Sequence, residues 1–376
     1  MDKITFCIPS KNNLRYLKTC LPSIRKNAYR QDHDIIVFVD SDNDGTVEWL
    51  KENHTKYNVT YYVNPDLGKS LFGIGKAYDY CIEKSQTEIC MIFHADMMLG
   101  KHADLEAFNL LEKGVVVCAT RIEPPLHPNA GEKVLQDFGL WPEEFKESEF
   151  DSCVEELKIL YKDKITMGIF APWMIYRQDL LDIQGHDPIL LSAREDSDIF
   201  NRMKLNGYEL KQSWRSYVYH LTGRGGQFQH GEITNDEQKK SDEWRKLMEN
   251  STKEFIRKWG TTVKHDDLMD PIISPKFDIA YIVHNCTNDL LKSLELFCDN
   301  IFTNLNYDEY IQEEQKNTKF NLKKRLKSLT DEVQNDVVIE FDATKLNSQN
   351  FNILQLMPEI LKDSGSQGIF EIDIFI

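Results

Sequence analysis

The sequence lacks the long apolar runs of membrane proteins. None of its runs reaches the roughly 20 consecutive apolar residues that a bilayer-spanning helix needs. The N-terminal stretch MDKITFCIPS also lacks the apolar region of a secretory signal peptide. We therefore expect a cytoplasmic protein without stable membrane insertion.

Closely paired cysteines are absent as well. The eight cysteines are scattered along the chain, and no two of them form a C-x-x-C pair. Several lie inside apolar runs, such as Cys7 in ITFCIP and Cys118 in VVVCAT. This pattern favours buried free thiols in a reducing compartment.

The chain has fewer basic than acidic residues. Against 61 Asp and Glu there are only 45 Lys and Arg, which leaves a formal net charge of −16. An acidic surface repels phosphate groups at long range, which disfavours generic binding to nucleic acid or to an anionic membrane. A local basic pocket for a diphosphate stays compatible with this charge, and so does a nucleic-acid acceptor held by one local patch.

The residues that are present can build a hydrophobic core. Hydrophobic residues make up 41% of the chain, which contains 20 Phe, 15 Tyr and 6 Trp. A length of 376 residues suits about two domains. We predict three segments: a large α/β domain over 1–235, a helical connector over 236–275, and a small α/β domain over 276–376.

Short apolar runs alternate with helical patterns in the first half of the chain. Such alternation predicts βαβ units and a mostly parallel sheet, in which ligands bind at the carboxyl ends of the strands. Polar residues follow the predicted strands at these ends: Pro9 and Ser10, Asp40, and Asp96. The predicted strands are Lys3–Ile8, Asp34–Val39, Val59–Val63, Glu88–Phe93 and Val115–Thr120.

A proline-containing, acidic stretch from 122 to about 160 is interpreted as an insertion over that ligand edge. The C-terminal segment shows no obvious catalytic motif. Its predicted helices are Asn288–Asn304, Gln312–Leu329 and Phe351–Lys362, and its predicted strands are Phe277–Val283, Asp336–Phe341 and Ile369–Phe375.

Three short segments carry candidate chemistry. In HADMM, Asp96 is placed to hold a divalent cation, or simply to cap the next helix. In REDSDIF, Glu195 and Asp196 could supply a general base, although acids also suit a helix N-terminus. In YVYHLTGRGG, His220 precedes a glycine-rich loop whose Arg224 could clamp a phosphate, while a lone histidine after a strand is more often structural.

In their order and spacing, these segments resemble glycosyltransferase family 2, a group with the GT-A fold. The resemblance spans about residues 3–225 and excludes the C-terminal segment. It is carried by four stretches: IPSKNNLRYLKTCLPSI, VFVDSDNDGT, NPDLGKSLFGIGKAYDYCIEKSQTEICMIFHADMM, and PWMIYRQDLLDIQGHDPILLSAREDSDIFNRMKLNGYEL.

The resemblance implies a Rossmann-like, mostly parallel sheet with flanking helices, and an inverting transfer from a nucleoside-diphosphate sugar. UDP-linked donors are the commonest in the family. Asp196 would be the general base of a Glu-Asp pair with Glu195, and Trp173 would contact the acceptor. The residues expected to bind the nucleotide sugar are Pro9, Ser10, Asp40, Asp42, Lys76, His94, Ala95 and Arg224.

The resemblance also implies a divalent cation, Mn²⁺ or Mg²⁺, on the donor diphosphate. Asp96 would bind it, and His220 lies where many relatives bring a further metal or phosphate ligand. His94 replaces the first carboxylate of the family's DxD motif.

Two alternatives stay open. A nucleotidyltransferase of related fold would also use strand-end carboxylates and Mg²⁺, although the turn after the first strand lacks the glycine that it would want. A non-catalytic sugar-nucleotide-binding module would tolerate His94 in place of an acid.

The acceptor is not specified by the sequence; a glycan, another hydroxyl compound or a nucleic acid would each suit the reaction. One hypothesis gives the C-terminal domain a role in homo-oligomerisation or acceptor docking through the strand Ile369–Phe375. The favoured alternative is a simple packing domain.

Overall fold

The computed structural model describes residues 1–128, 131–225 and 242–365. The predicted strand Ile369–Phe375 and Gly226 lie outside these residues. The chain divides into two compact units. The first comprises Met1–Leu247 and His265–Ile272, and the second Met248–Lys264 and Ile273–Ile376. The predicted connector over 236–275 contributes to both units, and our three domain boundaries stay predictions.

The first unit is α/β throughout. Its helices are α1 (Leu14–Asn27), α2 (Thr46–Tyr57), α3 (Ile74–Lys84), α4 (Ala103–Phe108), α5 (Glu147–Leu160), α6 (Arg177–Asp182) and α7 (Glu195–Leu205). Its strands are β1 (Thr5–Lys11), β2 (Asp34–Ser41), β3 (Val59–Val63), β4 (Ile89–Ile92), β5 (Met97–Leu99), β6 (Val115–Glu123), β7 (Lys133–Leu135), β8 (Ile165–Thr166), β9 (Trp173–Tyr176) and β10 (Glu209–His220). Helix α8 (Asp242–Trp259) begins in this unit and ends in the second.

These strands form one sheet in the order β3-β2-β1-β4-β9-β6-β10-β5, with β7 beside β6 and β8 beside β10. Strands β1 to β4 are mutually parallel neighbours, whereas β9 is antiparallel to both β4 and β6. Strand β6 therefore runs in the same direction as β4, and β10 is parallel to β6. The predicted mostly parallel sheet with flanking helices is confirmed.

Burial explains why these segments became strands and helices. Strand β6 is buried along its whole length, as expected for a parallel strand covered on both faces. Helix α1 buries one face at helical spacing, with Leu17, Leu21 and Ile24 fully inaccessible. A second apolar cluster joins α5 of the insertion to β10, chiefly through Phe150 and Tyr219.

The second unit contains a four-stranded parallel sheet in the order β13-β12-β11-β14. Its strands are β11 (Ile279–His284), β12 (Asn300–Thr303), β13 (Leu326–Ser328) and β14 (Val337–Asp342). Its helices are α9 (Asn288–Leu294), α10 (Asp308–Glu314), α11 (Leu322–Arg325), α12 (Ser348–Gln355) and α13 (Met357–Ser364). The predicted small α/β unit is thus present.

Two helix predictions in this unit were wrong. The span Gln312–Leu329 divides into the end of α10, the short α11 and strand β13, while Asn288–Asn304 ends in strand β12. Pairing of β12 with β11 and β13 satisfies the backbone groups that a longer helix would have bonded internally. Among the described residues, no helix combines the length and apolarity needed to cross a bilayer.

Candidate active site

The carboxyl ends of β1, β2, β4 and β10 meet at one edge of the large sheet, because these strands run in the same direction. Ser10, Asp40 and His220 lie within the last two residues of their strands, and Asp96 follows β4. After Asp96 the chain turns into β5, which pairs antiparallel with β10. The backbone amide of Leu221 then donates to the carbonyl of Asp96 at 3.0 Å, which brings His220 beside Asp96.

A pocket opens at the β1 and β2 end of this edge. Ser10 Oγ is buried there without a hydrogen-bond partner among the described residues. Such an orphaned hydroxyl in a polar-lined pocket suits a ligand with hydrogen-bonding groups. The pocket is lined by Pro9, Ser10, Lys11, Asn13, Asp40, Leu71, Ile74, Ala77, Leu191 and Ser192.

Asp40 organises the loop that borders this pocket. Its Oδ1 accepts hydrogen bonds from Asn64 Nδ2 at 2.9 Å and from the amide of Phe72 at 2.6 Å, and its Oδ2 accepts from the amide of Gly73 at 3.1 Å. Asp42 accepts from the amide of Val47 at 3.3 Å, near the start of α2. Both carboxylates therefore stabilise neighbouring parts of the protein, whichever ligand the pocket binds.

A cluster of three ligand-type side chains lies further along the edge. One donor atom from each of His94, Asp96 and His220 falls within 4.8 Å of the others. His94 Nδ1 is 3.9 Å and His220 Nε2 is 3.7 Å from the same oxygen, Asp96 Oδ1. Two imidazoles and one carboxylate are ligands suited to a divalent transition metal, so the residues present fit a cation.

Glu123 orients His220 within this cluster. The Nδ1 of His220 lies 2.8 Å from Glu123 Oε1, and a proton on Nδ1 leaves Nε2 as the acceptor that faces Asp96. A carboxylate behind a histidine is the usual arrangement around a protein-bound metal. Glu123 is itself held by Arg121 at 3.0 Å and by Lys133 at 3.0 Å.

The pKa shifts agree with a site built to receive a cation. Burial, with smaller contributions from His220 and Arg121, lowers the pKa of His94 to about 3, so its imidazole is neutral and free to act as a ligand. Burial raises the pKa of Asp96, and the nearby His220 opposes this rise. Burial also acts to raise the pKa of Glu123, but the hydrogen bond from His220 and the charge of Arg121 outweigh it and lower that pKa.

The glycine-rich loop after β10 closes over Asp96. A Cβ atom at Gly225 would lie 3.1 Å from Asp96 Oδ2, so only glycine leaves that oxygen unobstructed. The Arg224 guanidinium lies 4.8 Å from the ring of Trp141, and its Nε is buried with no partner in the described part of the chain. The hydroxyl of Tyr16 donates to the Arg224 carbonyl, which fixes the loop.

The carboxylates Glu195 and Asp196 begin helix α7 in unlike surroundings. Asp196 Oδ1 accepts a 2.6 Å hydrogen bond from the amide of Ser197, whereas Glu195 Oε2 is buried without a partner in the segments described. Burial, followed by the charge of Asp196, raises the pKa of Glu195 to about 8. At neutral pH Glu195 therefore holds its proton.

The remaining candidates occupy less exposed places. Trp173 is 2% exposed and packs edge-on against Phe200 in the core, so its role in acceptor binding stays a prediction. Ala95 is 2% exposed and separates the two ligand-type residues of the HAD segment. The Lys76 ammonium lies 4.3 Å from the centre of the Phe72 ring, beside the loop that Asp40 holds.

Sequence reasoning missed Glu123 altogether. The predicted strand ended at Thr120, but β6 continues to Glu123, which puts this carboxylate at the same sheet edge as the other polar groups. The segment RIE after Thr120, in which polar and apolar residues alternate, could have indicated that the strand continues.

Comparison with known proteins finds a similarity in the first unit. Residues 5–182 match the family model described as glycosyl transferase family 2. No curated protein sequence matches the chain.

Two solved structures illustrate weaker similarities. The structure of S. aureus TarS residues 1–349 in complex with UDP is 17% identical, with 58% of this chain and 60% of that chain covered and a TM-score of 0.41. GalNAc-T7 with UDP, GalNAc and Mn²⁺ is 14% identical, with 58% and 43% covered and a TM-score of 0.45. The chain thus spans less than two thirds of either structure.

The matched segment contains Ser10 and Asp40 of the pocket, together with His94 and Asp96 of the ligand-type cluster. Residues 5–182, somewhat less than half of the chain, are therefore similar to glycosyl transferase family 2.

Proposed function

We propose that the chain transfers a sugar from a nucleoside-diphosphate sugar, with UDP-linked donors favoured, to an acceptor hydroxyl. The observation that carries the proposal is the position of the cluster His94, Asp96 and His220, at the same sheet edge as the pocket lined by Ser10 and Asp40. A nucleotide bound in that pocket could extend its diphosphate along the edge towards the cluster. The similarity of residues 5–182 to the glycosyl transferase family 2 model supports the same proposal.

The nucleoside end of the donor is assigned to the pocket. Pro9, Ser10 and Asp40 line it, and the orphaned Ser10 hydroxyl supplies a hydrogen-bond donor. Asp42, near the start of α2, supports the bordering turn. These assignments place a polar, planar base beside backbone and carboxylate groups that can hydrogen-bond to it.

The diphosphate is assigned to the cluster and the loop that closes over it. His94, Asp96 and His220 would hold Mn²⁺ or Mg²⁺, and a bound cation would neutralise the charge that develops on the departing diphosphate. The buried Arg224 Nε has no protein partner in the described segments and is available to a phosphate oxygen. Lys76 and the backbone at Ala95 are the further candidates for phosphate contacts.

The acceptor side is assigned to α7. The acceptor oxygen would attack the anomeric carbon as the bond from that carbon to the phosphate oxygen breaks, with inversion. Asp196 would take the proton of the acceptor hydroxyl. Glu195, which keeps its own proton at neutral pH, is less suited to that task. Trp173 stays the candidate for acceptor contact.

The test is a screen of nucleoside-diphosphate sugars with Mn²⁺ and with Mg²⁺, read by donor hydrolysis and by thermal shift. We expect at least one UDP-linked sugar to stabilise the protein and to be hydrolysed slowly, and EDTA to abolish turnover. Full activity in chelator would remove the cation from the proposal. Release of pyrophosphate from a nucleoside triphosphate and a sugar 1-phosphate would identify a nucleotidyltransferase instead.

A substitution tests the assignment of the base. Asp196→Asn should lower the transfer rate by at least about a hundredfold, which is the usual contribution of a general base, and should leave donor affinity within about twofold. Ser197→Ala, which keeps the Asp196 carboxylate, is the matched control. Transfer at the wild-type rate by Asp196→Asn would contradict the assignment and would favour another base.

A further inference from the structure

Tyr78, in the middle of α3, is a buried polar residue that the assignments above leave without a role. It is 3% exposed, and its hydroxyl has no hydrogen-bond partner among the residues that the structure describes. A buried hydroxyl without a partner is unfavourable, so most such groups find a partner in a ligand or an ordered water. Tyr78 therefore needs an explanation.

The ring of Tyr78 is built into the site. It lies nearly parallel to the ring of His94, with centroids 6.3 Å apart and planes 23° apart. On the acceptor side it packs against His186, with centroids 5.8 Å apart. His186 is anchored to the same helix, because Asp79 accepts hydrogen bonds from its amide at 2.8 Å and from its Nδ1 at 2.7 Å.

Glu195 lies close to the same stretch of α3. A Cβ atom at Gly75, one turn before Tyr78, would lie 3.4 Å from Glu195 Cβ and only 2.7 Å from His186 Cβ. Glycine at this position therefore allows the start of α7 to approach α3. Glu195 Oε2 and the Tyr78 hydroxyl are thus two buried polar atoms in one region of the site, and neither has a partner in the part of the chain that the structure describes.

The location of Tyr78 identifies the part of the substrate that would meet it. Its ring contacts His94, on the side assigned to the diphosphate, and its helix contacts Glu195, on the side assigned to the acceptor. Burial is the main cause that raises the Tyr78 pKa, so the hydroxyl keeps its proton and can donate a hydrogen bond. In a glycosyl transfer, the group between diphosphate and acceptor is the transferred sugar.

We propose that the Tyr78 hydroxyl binds a hydroxyl group of the transferred sugar and so contributes to the choice of donor. A sugar hydroxyl accepts as well as donates hydrogen bonds, which matches a phenol donor. A site that hydrogen-bonds a hydroxyl discriminates strongly against a sugar that lacks it, because its own buried groups are then left unpaired. The inference rests on the proposed function.

The experiment compares Tyr78→Phe with wild type in binding UDP and three UDP-sugars, UDP-glucose, UDP-galactose and UDP-N-acetylglucosamine, by calorimetry. Phe keeps the ring and its packing and removes only the hydroxyl. For the sugar that wild type prefers, we expect the Kd to rise about tenfold in Tyr78→Phe, while the Kd for UDP stays within about twofold. Tyr80→Phe, two residues on in the same helix and packed against Phe38 and Tyr62, should change neither value.

Deoxy analogues of the preferred donor identify the hydroxyl. One UDP-deoxysugar should bind wild type about tenfold more weakly than its parent, and Tyr78→Phe should bind parent and analogue alike. Equal loss for UDP and UDP-sugar in Tyr78→Phe would overturn the inference, as would unchanged donor binding with a raised KM for the acceptor alone. Wild type that binds no UDP or UDP-sugar would overturn the donor proposal itself, which separates the two failures.

Discussion

Glu195 and Asp196, the neighbouring carboxylates at the start of α7, differ in their hydrogen bonding. Asp196 accepts a hydrogen bond from the amide of the next residue, whereas one oxygen of Glu195 is buried and has no partner among the residues described. Adjacent acids in unlike surroundings are typical of sites in which two carboxyl groups have different tasks. The structure therefore supports distinct roles for the two residues in the proposed reaction.

The raised pKa of Glu195 predicts a pH dependence of stability. The native protein keeps a proton on Glu195 up to a pH of about 8, whereas the unfolded chain releases it near the ordinary glutamate pKa of about 4.3. The free energy of unfolding should therefore fall as the pH rises between these two values, because the native state binds more protons. Thermal unfolding at a series of pH values measures this loss.

Glu195→Gln lacks this titration. Its Tm minus the wild-type Tm should become more positive from about pH 5 to about pH 8 and then level off. Glu52→Gln, which alters an exposed glutamate on α2, should follow the wild-type curve at every pH. A constant difference between Glu195→Gln and wild type across this range would show that Glu195 ionises normally.

A second prediction at the residue scale concerns Glu123 and the affinity of the protein for a metal ion. Glu123→Gln weakens the hold on His220 Nδ1, so the affinity for Mn²⁺ should fall by about 10- to 100-fold. Calorimetric titration of the protein with Mn²⁺ measures this directly, without reference to activity.

Lys133→Met is the matched control, because it removes an ion pair to Glu123 and leaves the contact with His220 in place. It should change the affinity for Mn²⁺ much less than Glu123→Gln does. If the two variants lost affinity equally, Glu123 would act through its ion pairs rather than by orienting His220.

Among the elements, helix α12 has a complete capping box. The Asn347 side chain accepts from the amides of Gln349 and Asn350, and the Asn350 side chain accepts from the amide of Asn347. Asn347→Ala should lower the free energy of unfolding by about 0.5–2 kcal/mol, because an N-terminal amide loses its partner.

Chemical denaturation, followed by circular dichroism, measures this change. Asn352→Ala alters an exposed residue within the same helix and should cost much less. Equal effects of the two substitutions would mean that helix propensity, rather than the cap, sets the stability of α12.

Two elements differ from the secondary structure that their sequence patterns predict. The charged span from 312 to 329 has the composition of a helix, yet its last residues pair as β13 with β12. Strand β6 likewise extends beyond its apolar pattern, since the buried Glu123 contacts His220, which lies 97 residues further along the chain. In both cases contacts distant in the sequence override local preference.

At the scale of the whole molecule, the second unit has its own buried polar network. The Arg257 guanidinium is inaccessible and pairs with Glu254 at 2.9 Å, Glu295 at 3.0 Å and Glu314 at 2.8 Å. Arg325 also contacts Glu295, at 2.7 Å. Removing one member leaves a buried charge without its partner, which is far more costly than the loss of an exposed pair.

Arg257→Ala should therefore destabilise the second unit by about 3–5 kcal/mol. Lys292→Ala, which breaks an exposed pair with Glu313, should cost at most about 1 kcal/mol. Urea unfolding of the full chain compares the two variants. Because Arg257 belongs to the second unit, UDP-sugar binding should persist in Arg257→Ala under conditions in which the protein stays folded. Similar small losses in both variants would show that the buried network contributes little.

The sequence by itself was enough for the fold class, because alternating apolar runs and helical patterns are local properties of the chain. It also placed Ser10, Asp40, Asp96 and His220 at strand ends, and the common direction of those strands brought them to one edge. The cluster that includes His94 and His220 was thus foreseeable in outline.

Only the tertiary structure decided which of these groups touch, and in what state. The contact of Glu123 with His220, the raised pKa of Glu195 and the buried hydroxyl of Tyr78 all depend on residues far apart in the chain. Burial and hydrogen bonding are set by packing, and packing is not encoded in any single segment. For that reason, motif spacing predicted which groups would lie at this edge of the sheet, whereas their protonation states and supporting contacts required the folded chain.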